Sequence, residues 1–217
     1  MKPEKLIEKT RLYVQKELAG ESSGHDWWHI FRVWSLAKNI AQTENANLTI
    51  VELSALLHDI ADWKFTGGDE LEGPAKAEIW LRKNTADQKL IDRVCEIIAT
   101  ISYKGAGVPT PMRTIEGKVV QDADRLDAIG AVGIARTFAY GGNKNRLIYH
   151  PDEPPVMHQS FEEYKKNRGH TINHFYEKLL LLKDLMNTKS AKKLAEKRHL
   201  FMEKYLDRFY KEWNGDV

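Results

Sequence analysis

Apolar residues recur along this chain at three- and four-residue spacing, the period of amphipathic helices, with no sustained alternation of the kind that marks strands. The first stretch covers about 3–18, where Leu6, Ile7, Tyr13, Val14 and Leu18 share approximately one face and Gly20 marks the stop. A second begins near His25 and continues through Val33, Trp34, Leu36, Ala37 and Ile40. The third is the most apolar, with Ile50, Val51, Leu53, Leu56, Leu57 and Ile60; ahead of it, Thr49 followed three residues later by Glu52 has the form of a capping box. Pro74 suits the first turn of a short helix through Ile79, Trp80 and Leu81, and another helix is expected over about 86–101. Residues 105–111 read as a loop. Residues 141–159 form a long connection dense in turn formers, a length typical of lids or disordered segments. Two long helices are predicted beyond it, over about 161–186 and 188–213. Their apolar stripes, including Phe201, Met202, Tyr205, Leu206 and Phe209, suit either core packing or a homodimer contact. The pattern is all-α, with roughly nine or ten helices.

Composition narrows the class. A chain of 217 residues, 42% hydrophobic and 29% charged, can bury a core without disulfides and is unlike a disordered chain. With 33 basic and 31 acidic residues, the formal charge of +2 gives no general attraction for nucleic acid, so direct nucleic-acid binding is not expected. A nucleotide would need a local basic pocket. The single cysteine, Cys95, lies in an amphipathic helical stretch where packing is the expected role, and its solitude fits a reducing compartment. The N-terminus lacks the apolar core of a signal peptide, and no stretch approaches the ~18 apolar residues of a membrane span. A cytoplasmic protein with no membrane partner is expected.

The candidate chemistry sits where polar residues interrupt apolar pattern. His58-Asp59, with Asp62 one turn on, ends the third helix. Burying unpaired carboxylates there would cost several kcal/mol, on the order of the penalty for isolated charged groups. A divalent cation removes that cost, while an Asp cap beside a hydrogen-bonded core histidine accounts for the same residues. His29 gains weight as a ligand beside this second site; His25, on the same helix face, suits a further ligand or a substrate contact. In the run Gln121-Asp122-Ala123-Asp124-Arg125-Leu126-Asp127, Asp124 is the choice for the remaining ligand. Asp122 and Asp127 read instead as caps, as groups that orient a ligand, or as partners of Arg125 and Arg136. Lys64 is either a phosphate contact or a solvated loop lysine, and Arg146, His150 and His158 lie in the long connection as visitors to the site or as surface groups.

The ordered pattern His29, His58-Asp59, Asp124 resembles the HD-domain phosphohydrolases. Asp26-Trp27-Trp28-His29, the stretch from Gln121 to Gly130 and His174-Phe175-Tyr176-Glu177-Lys178-Leu179 extend the likeness to the small bacterial YedJ- and YpgQ-like subgroup, over nearly the whole chain. The resemblance implies a single HD-type domain over 1–217: a helical bundle with its metal core at about 20–140 and additional C-terminal helices at about 160–214. It implies one divalent metal on His29, His58, Asp59 and Asp124, with Mn²⁺ favoured and Fe²⁺, Co²⁺, Ni²⁺, Zn²⁺ or Mg²⁺ also compatible. No histidine lies between Asp59 and Asp124, unlike relatives with two metals, which favours a mononuclear hydrolase. Asp62 matches the acidic position that helps activate water in related enzymes. His25, Lys64, Lys104 and Arg125 are the candidate substrate contacts. The implied reaction is hydrolysis of (deoxy)nucleoside triphosphates to monophosphate and pyrophosphate. A 5′-nucleotidase or another phosphomonoesterase or phosphodiesterase is the alternative within the class. A noncatalytic, metal-stabilised nucleotide-binding or interaction module is the alternative outside it.

Overall fold

The computed structural model describes residues 2–20, 26–61, 71–84 and 87–216. His25, Asp62 and Lys64 lie outside the described residues. The helices are α1 (Pro3–Glu17), α2 (Trp27–Glu44), α3 (Leu48–Leu57), α4 (Glu72–Asn84), α5 (Gln88–Thr100), α6 (Ile115–Asp127), α7 (Gly130–Asn143), α8 (Phe161–Lys166), α9 (Asn173–Glu177) and α10 (Lys189–Trp213), with a 3₁₀ turn at Leu179–Leu181. No strand occurs among the described residues, so the fold is all-α as the spacing predicts. Among those residues no helix is long and apolar enough to cross a membrane. The chain divides into two compact units, Met1–Tyr103 with Pro109–Asp124, and Lys104–Val108 with Arg125–Val217.

The first unit is assembled around α3. Val51, Leu53, Ala55, Leu56 and Leu57 are all buried, and α1, α2 and α5 pack against the helix. A helix apolar on every side has to be enclosed in this way. It does not begin with the expected capping box. Asn47 is the cap, its side-chain oxygen accepting the N–H groups of Thr49 (3.1 Å) and Ile50 (3.3 Å). Glu52 instead accepts the Trp34 indole N–H at 2.8 Å, joining α3 to α2. On the other side, Tyr13 of α1 stacks on Trp80 of α4 with ring centroids 4.0 Å apart, while the Trp80 N–H donates to Thr10 Oγ1 at 2.9 Å.

Cys95 of α5 faces the packing of this unit. Burial, reinforced by the negative charges of Glu78 and Asp92, pushes its thiol up to about 11. A raised thiol pKa withholds the nucleophilic thiolate. At pH 8 the native protein should therefore react with a thiol reagent roughly 10²-fold more slowly than the unfolded chain, the ratio of their thiolate fractions. A stopped-flow assay with and without denaturant measures this, and equal rates would contradict the packing role.

The second unit departs most from the periodicity. The single helix expected over 161–186 is broken into α8, α9 and the 3₁₀ turn. The break is held by a carboxylate rather than by apolar spacing. Glu177, only 2% exposed, accepts the Asn167 side-chain N–H (2.6 Å) and the Val156 backbone N–H (3.0 Å), while Asn167 Oδ1 accepts the Gly169 N–H (2.8 Å). A buried carboxylate with these donors stabilises a turn that helical spacing alone does not reveal.

Comparable bonds fasten the long connection. α7 extends to Asn143, and the chain beyond it is tied down along its length. Leu147 and Ile148 carbonyls accept from Thr171 N (2.9 Å) and Ile172 N (3.0 Å), and the Glu153 carbonyl accepts from the Asn173 amide (2.9 Å). The Tyr149 ring stands edge-on to Phe209, Tyr210 and Trp213 of α10. Arg146 and His158 are engaged within this unit. The Arg146 guanidinium donates to the Asn167 carbonyl (3.0 Å), and His158 is buried with Nε2 4.0 Å from Glu177. Met202 and Leu206 of α10 are buried, and the Phe175 and Tyr205 rings stack at 5.9 Å, so much of the C-terminal stripe closes this core.

Candidate metal centre

All four expected ligands belong to the first unit. His29 is the third residue of α2, and its position is set by the helix start. Asp26 caps the helix and accepts the His29 backbone N–H on Oδ1 at 2.9 Å, so the ring enters from a fixed first turn. His58 directly succeeds the last residue of α3. There the chain tightens into a three-residue turn, with Ile60 N–H donating to the Leu57 carbonyl at 3.2 Å. Residues 58 and 59 thereby bring their side chains to the same place.

The His58 ring is oriented by its own helix. Nδ1 lies 2.8 Å from the Ala55 carbonyl oxygen. A carbonyl can only accept, so Nδ1 carries the proton and the Nε2 lone pair faces away from it. That lone pair meets His29 Nε2 at 3.3 Å. Asp59 Oδ2 lies 3.2 Å from His29 Nε2 and 3.6 Å from His58 Nε2. Asp124 Oδ1 completes the group at 3.6 Å from His29 Nε2 and 3.8 Å from His58 Nε2. The His29 side chain is fully buried, whereas those of Asp59 and Asp124 are 15% and 32% exposed, so water reaches the cluster from the carboxylate side.

The chemistry of this donor set fits a divalent cation. The His29 and His58 Nε2 atoms face one oxygen each from Asp59 and Asp124, and His58 directs its ring proton to Ala55 and not to the cluster. Bonds of about 2.1 Å to a shared ion would set neighbouring donors roughly 3.0–3.4 Å apart. The separations of 3.2–3.8 Å lie at and slightly above that interval. The ligand atoms of His29, His58 and Asp59 lie within 4.8 Å of one another, and these residues form a possible metal site. Neutral imidazoles with anionic oxygens suit a dication in charge as well as in geometry.

The remaining candidates fall elsewhere. Lys104 and Arg125 belong to the second unit, where the Lys104 ammonium sits 5.1 Å from the centroid of the Phe161 ring and the Arg125 guanidinium donates to the Leu185 carbonyl. Asp127 pairs with Arg136 at 3.0 Å, one of the roles its sequence context allowed. Asp122 is wholly buried. Two contributors to the centre were not singled out in the sequence. The Ala55 carbonyl that orients His58 has no side-chain signal at all, and Asp26 had one, a capping residue three before His29.

Comparison with known proteins agrees with this geometry. The HD-domain family model matches residues 27–129, a span that takes in all four donors. YpgQ of Bacillus subtilis strain 168 is 41% identical over 219 residues, covering 99% of this chain and 97% of that protein. The crystal structure of YpgQ in complex with ADP superimposes with a TM-score of 0.75 over 97% of this chain and all of that one. An HD-superfamily hydrolase from Bacillus thuringiensis, 46% identical, gives a TM-score of 0.75 with 98% of both chains covered. A Lactobacillus plantarum protein of known structure, 37% identical, gives 0.89 with both chains fully covered. A helical core that gathers His29, His58-Asp59 and Asp124, together with a relative matched almost end to end, leads to one conclusion: the chain belongs to the HD-domain family of hydrolases, within its YpgQ-like group.

Proposed function

We propose that this protein is a mononuclear metal-dependent nucleotide phosphohydrolase that converts (deoxy)nucleoside triphosphates to monophosphate and pyrophosphate, with Mn²⁺ as the preferred ion. The observation that carries the reading is the approach of one Asp59 oxygen and one Asp124 oxygen to the paired His29 and His58 Nε2 atoms, at 3.2–3.8 Å from them. The ADP complex of YpgQ supports a nucleotide as the ligand. A divalent ion held by these donors supplies positive charge for a phosphoryl oxygen and lowers the pKa of water.

The chain's own residues do the rest. Ala55 holds the His58 ring so that its lone pair faces the ion, and Asp59 and Asp124 balance the ion's charge from the side that water reaches. Asp62, four residues after His58 in the sequence, takes the proton of the attacking water on its carboxylate. The water oxygen bonds to the α-phosphorus, the bond from that phosphorus to the bridging oxygen breaks, and pyrophosphate departs with the electron pair. Of the basic groups expected at the substrate, His25 and Lys64 offset charge along the phosphate chain, the electrostatic demand of phosphoryl transfer.

The test is a matrix of metals against nucleotides on protein first stripped of metal, with products separated by chromatography. Monophosphate and pyrophosphate in equal amounts, greatest with Mn²⁺, are expected. Orthophosphate released from monophosphates would replace this reading with a 5′-nucleotidase. Nucleotide-dependent protection against melting with no product would replace it with a binding module.

A further inference from the structure

Gln121 lies three residues before Asp124 on α6 and is completely buried. Its amide nitrogen donates to two backbone carbonyls, Thr110 at 3.0 Å and Ile101 at 3.3 Å. Ile101 caps the C-terminus of α5, where the last carbonyls have no helical partner. Thr110 stands between Pro109 and Pro111, whose rings hold the backbone there in a narrow range. One uncharged nitrogen with two hydrogens therefore grips the outgoing and returning limbs of the loop that carries Lys104. Glutamate at this position would offer no donor, and lysine would bury a charge.

The grip has a consequence for the metal centre. Residues 121 and 124 occupy the same face of α6, one turn apart. Whatever fixes Gln121 against the end of α5 also fixes how far along and at what rotation α6 presents Asp124. Asp124 Oδ1 already stands at 3.6–3.8 Å from the two imidazole nitrogens, so an outward slip of about one ångström would remove it from the set.

We propose that Gln121 is a positioning residue for the metal centre: by clamping Ile101 and Thr110 to α6, it sets the distance of Asp124 from the Nε2 atoms of His29 and His58. This rests on the reading of Asp124 as the fourth donor. The test measures Mn²⁺ affinity of the full-length, metal-stripped protein by titration, beside the melting temperature of the metal-free form. Four variants are compared: Gln121→Met, which keeps the volume and loses both donors; Gln121→Asn, which keeps the amide on a shorter stem; Asp124→Asn; and Trp80→Phe, which removes one partly buried hydrogen bond of the same unit on its α1–α4 side.

Gln121→Met should bind Mn²⁺ about 10-fold or more weakly, the scale on which groups that orient ligands act. Gln121→Asn should fall between it and the parent, and Trp80→Phe should bind like the parent even if its melting temperature drops as far. Parental affinity in Gln121→Met, or an equal loss in Trp80→Phe, overturns the proposal. Should Gln121→Met fail to fold, Gln121→Asn decides alone, weakened binding supporting the clamp and parental binding overturning it. Loss of binding in Asp124→Asn beside parental binding in Gln121→Met sinks the clamp and leaves the donor reading standing. Parental binding in Asp124→Asn overturns the donor reading itself.

Discussion

Asp59→Ala should give a folded protein that neither retains a divalent ion after dialysis nor hydrolyses nucleotides. Asp59 Oδ2 is the carboxylate oxygen nearest the imidazole pair, 3.2 Å from His29 Nε2 and 3.6 Å from His58 Nε2. Without it the site offers two neutral nitrogens and one carboxylate, and the charge balance for a dication is lost. Removing a group that merely orients a ligand costs about 10–100-fold in affinity, so removing a donor should cost at least that much. The fold should survive, because Asp59 is partly exposed and α3, its apolar scaffold, ends before it. Elemental analysis of the dialysed protein, with helical content tracked by circular dichroism, checks both halves. Full metal occupancy in the alanine variant would remove Asp59 from the ligand set.

Asp62→Asn should separate binding from turnover. In the proposed mechanism Asp62 accepts a proton and ligates nothing, so the asparagine variant should hold metal as the parent does. Its kcat should fall about 10²-fold or more, the usual contribution of a positioned general base. Metal content and kcat measured on one preparation test the distinction. Equal metal loss in Asp59→Ala and Asp62→Asn would show that the two carboxylates share one role.

The grouping of His29, His58 and Asp59 as a possible metal site was legible in the sequence for a physical reason. His58 and Asp59 directly follow the most apolar helix of the chain, and enclosing such groups requires a partner. His29 then gained meaning from them, and the structure brings its Nε2 to 3.3 Å from that of His58. The helix starts were readable only in part. Thr49 and Asn47 are both capping residues, and the choice of Asn47 depends on where the backbone turns helical, which the side chains do not announce. The break in 161–186 was hidden because its cause is remote. Glu177 looks like a solvated helical position until Val156 and Asn167 supply its donors. The fastening of 144–160 was hidden for a related reason, since much of it runs through backbone carbonyls that any sequence possesses.

The spread of the donors along the chain decides when metal can be chosen. His29 and Asp124 are separated by most of the first unit, so more than half of the 217 residues must be synthesised before Asp124, the proposed fourth donor, exists. A nascent chain with one cysteine and scattered histidines offers metals little beyond the general preference for copper and zinc. Ion selection is thus deferred until folding has fixed the donor spacing, and cellular metal supply at that moment weighs on which ion enters. Once bound, that ion stabilises only the state that gathered its ligands, resisting the unfolding that would release it.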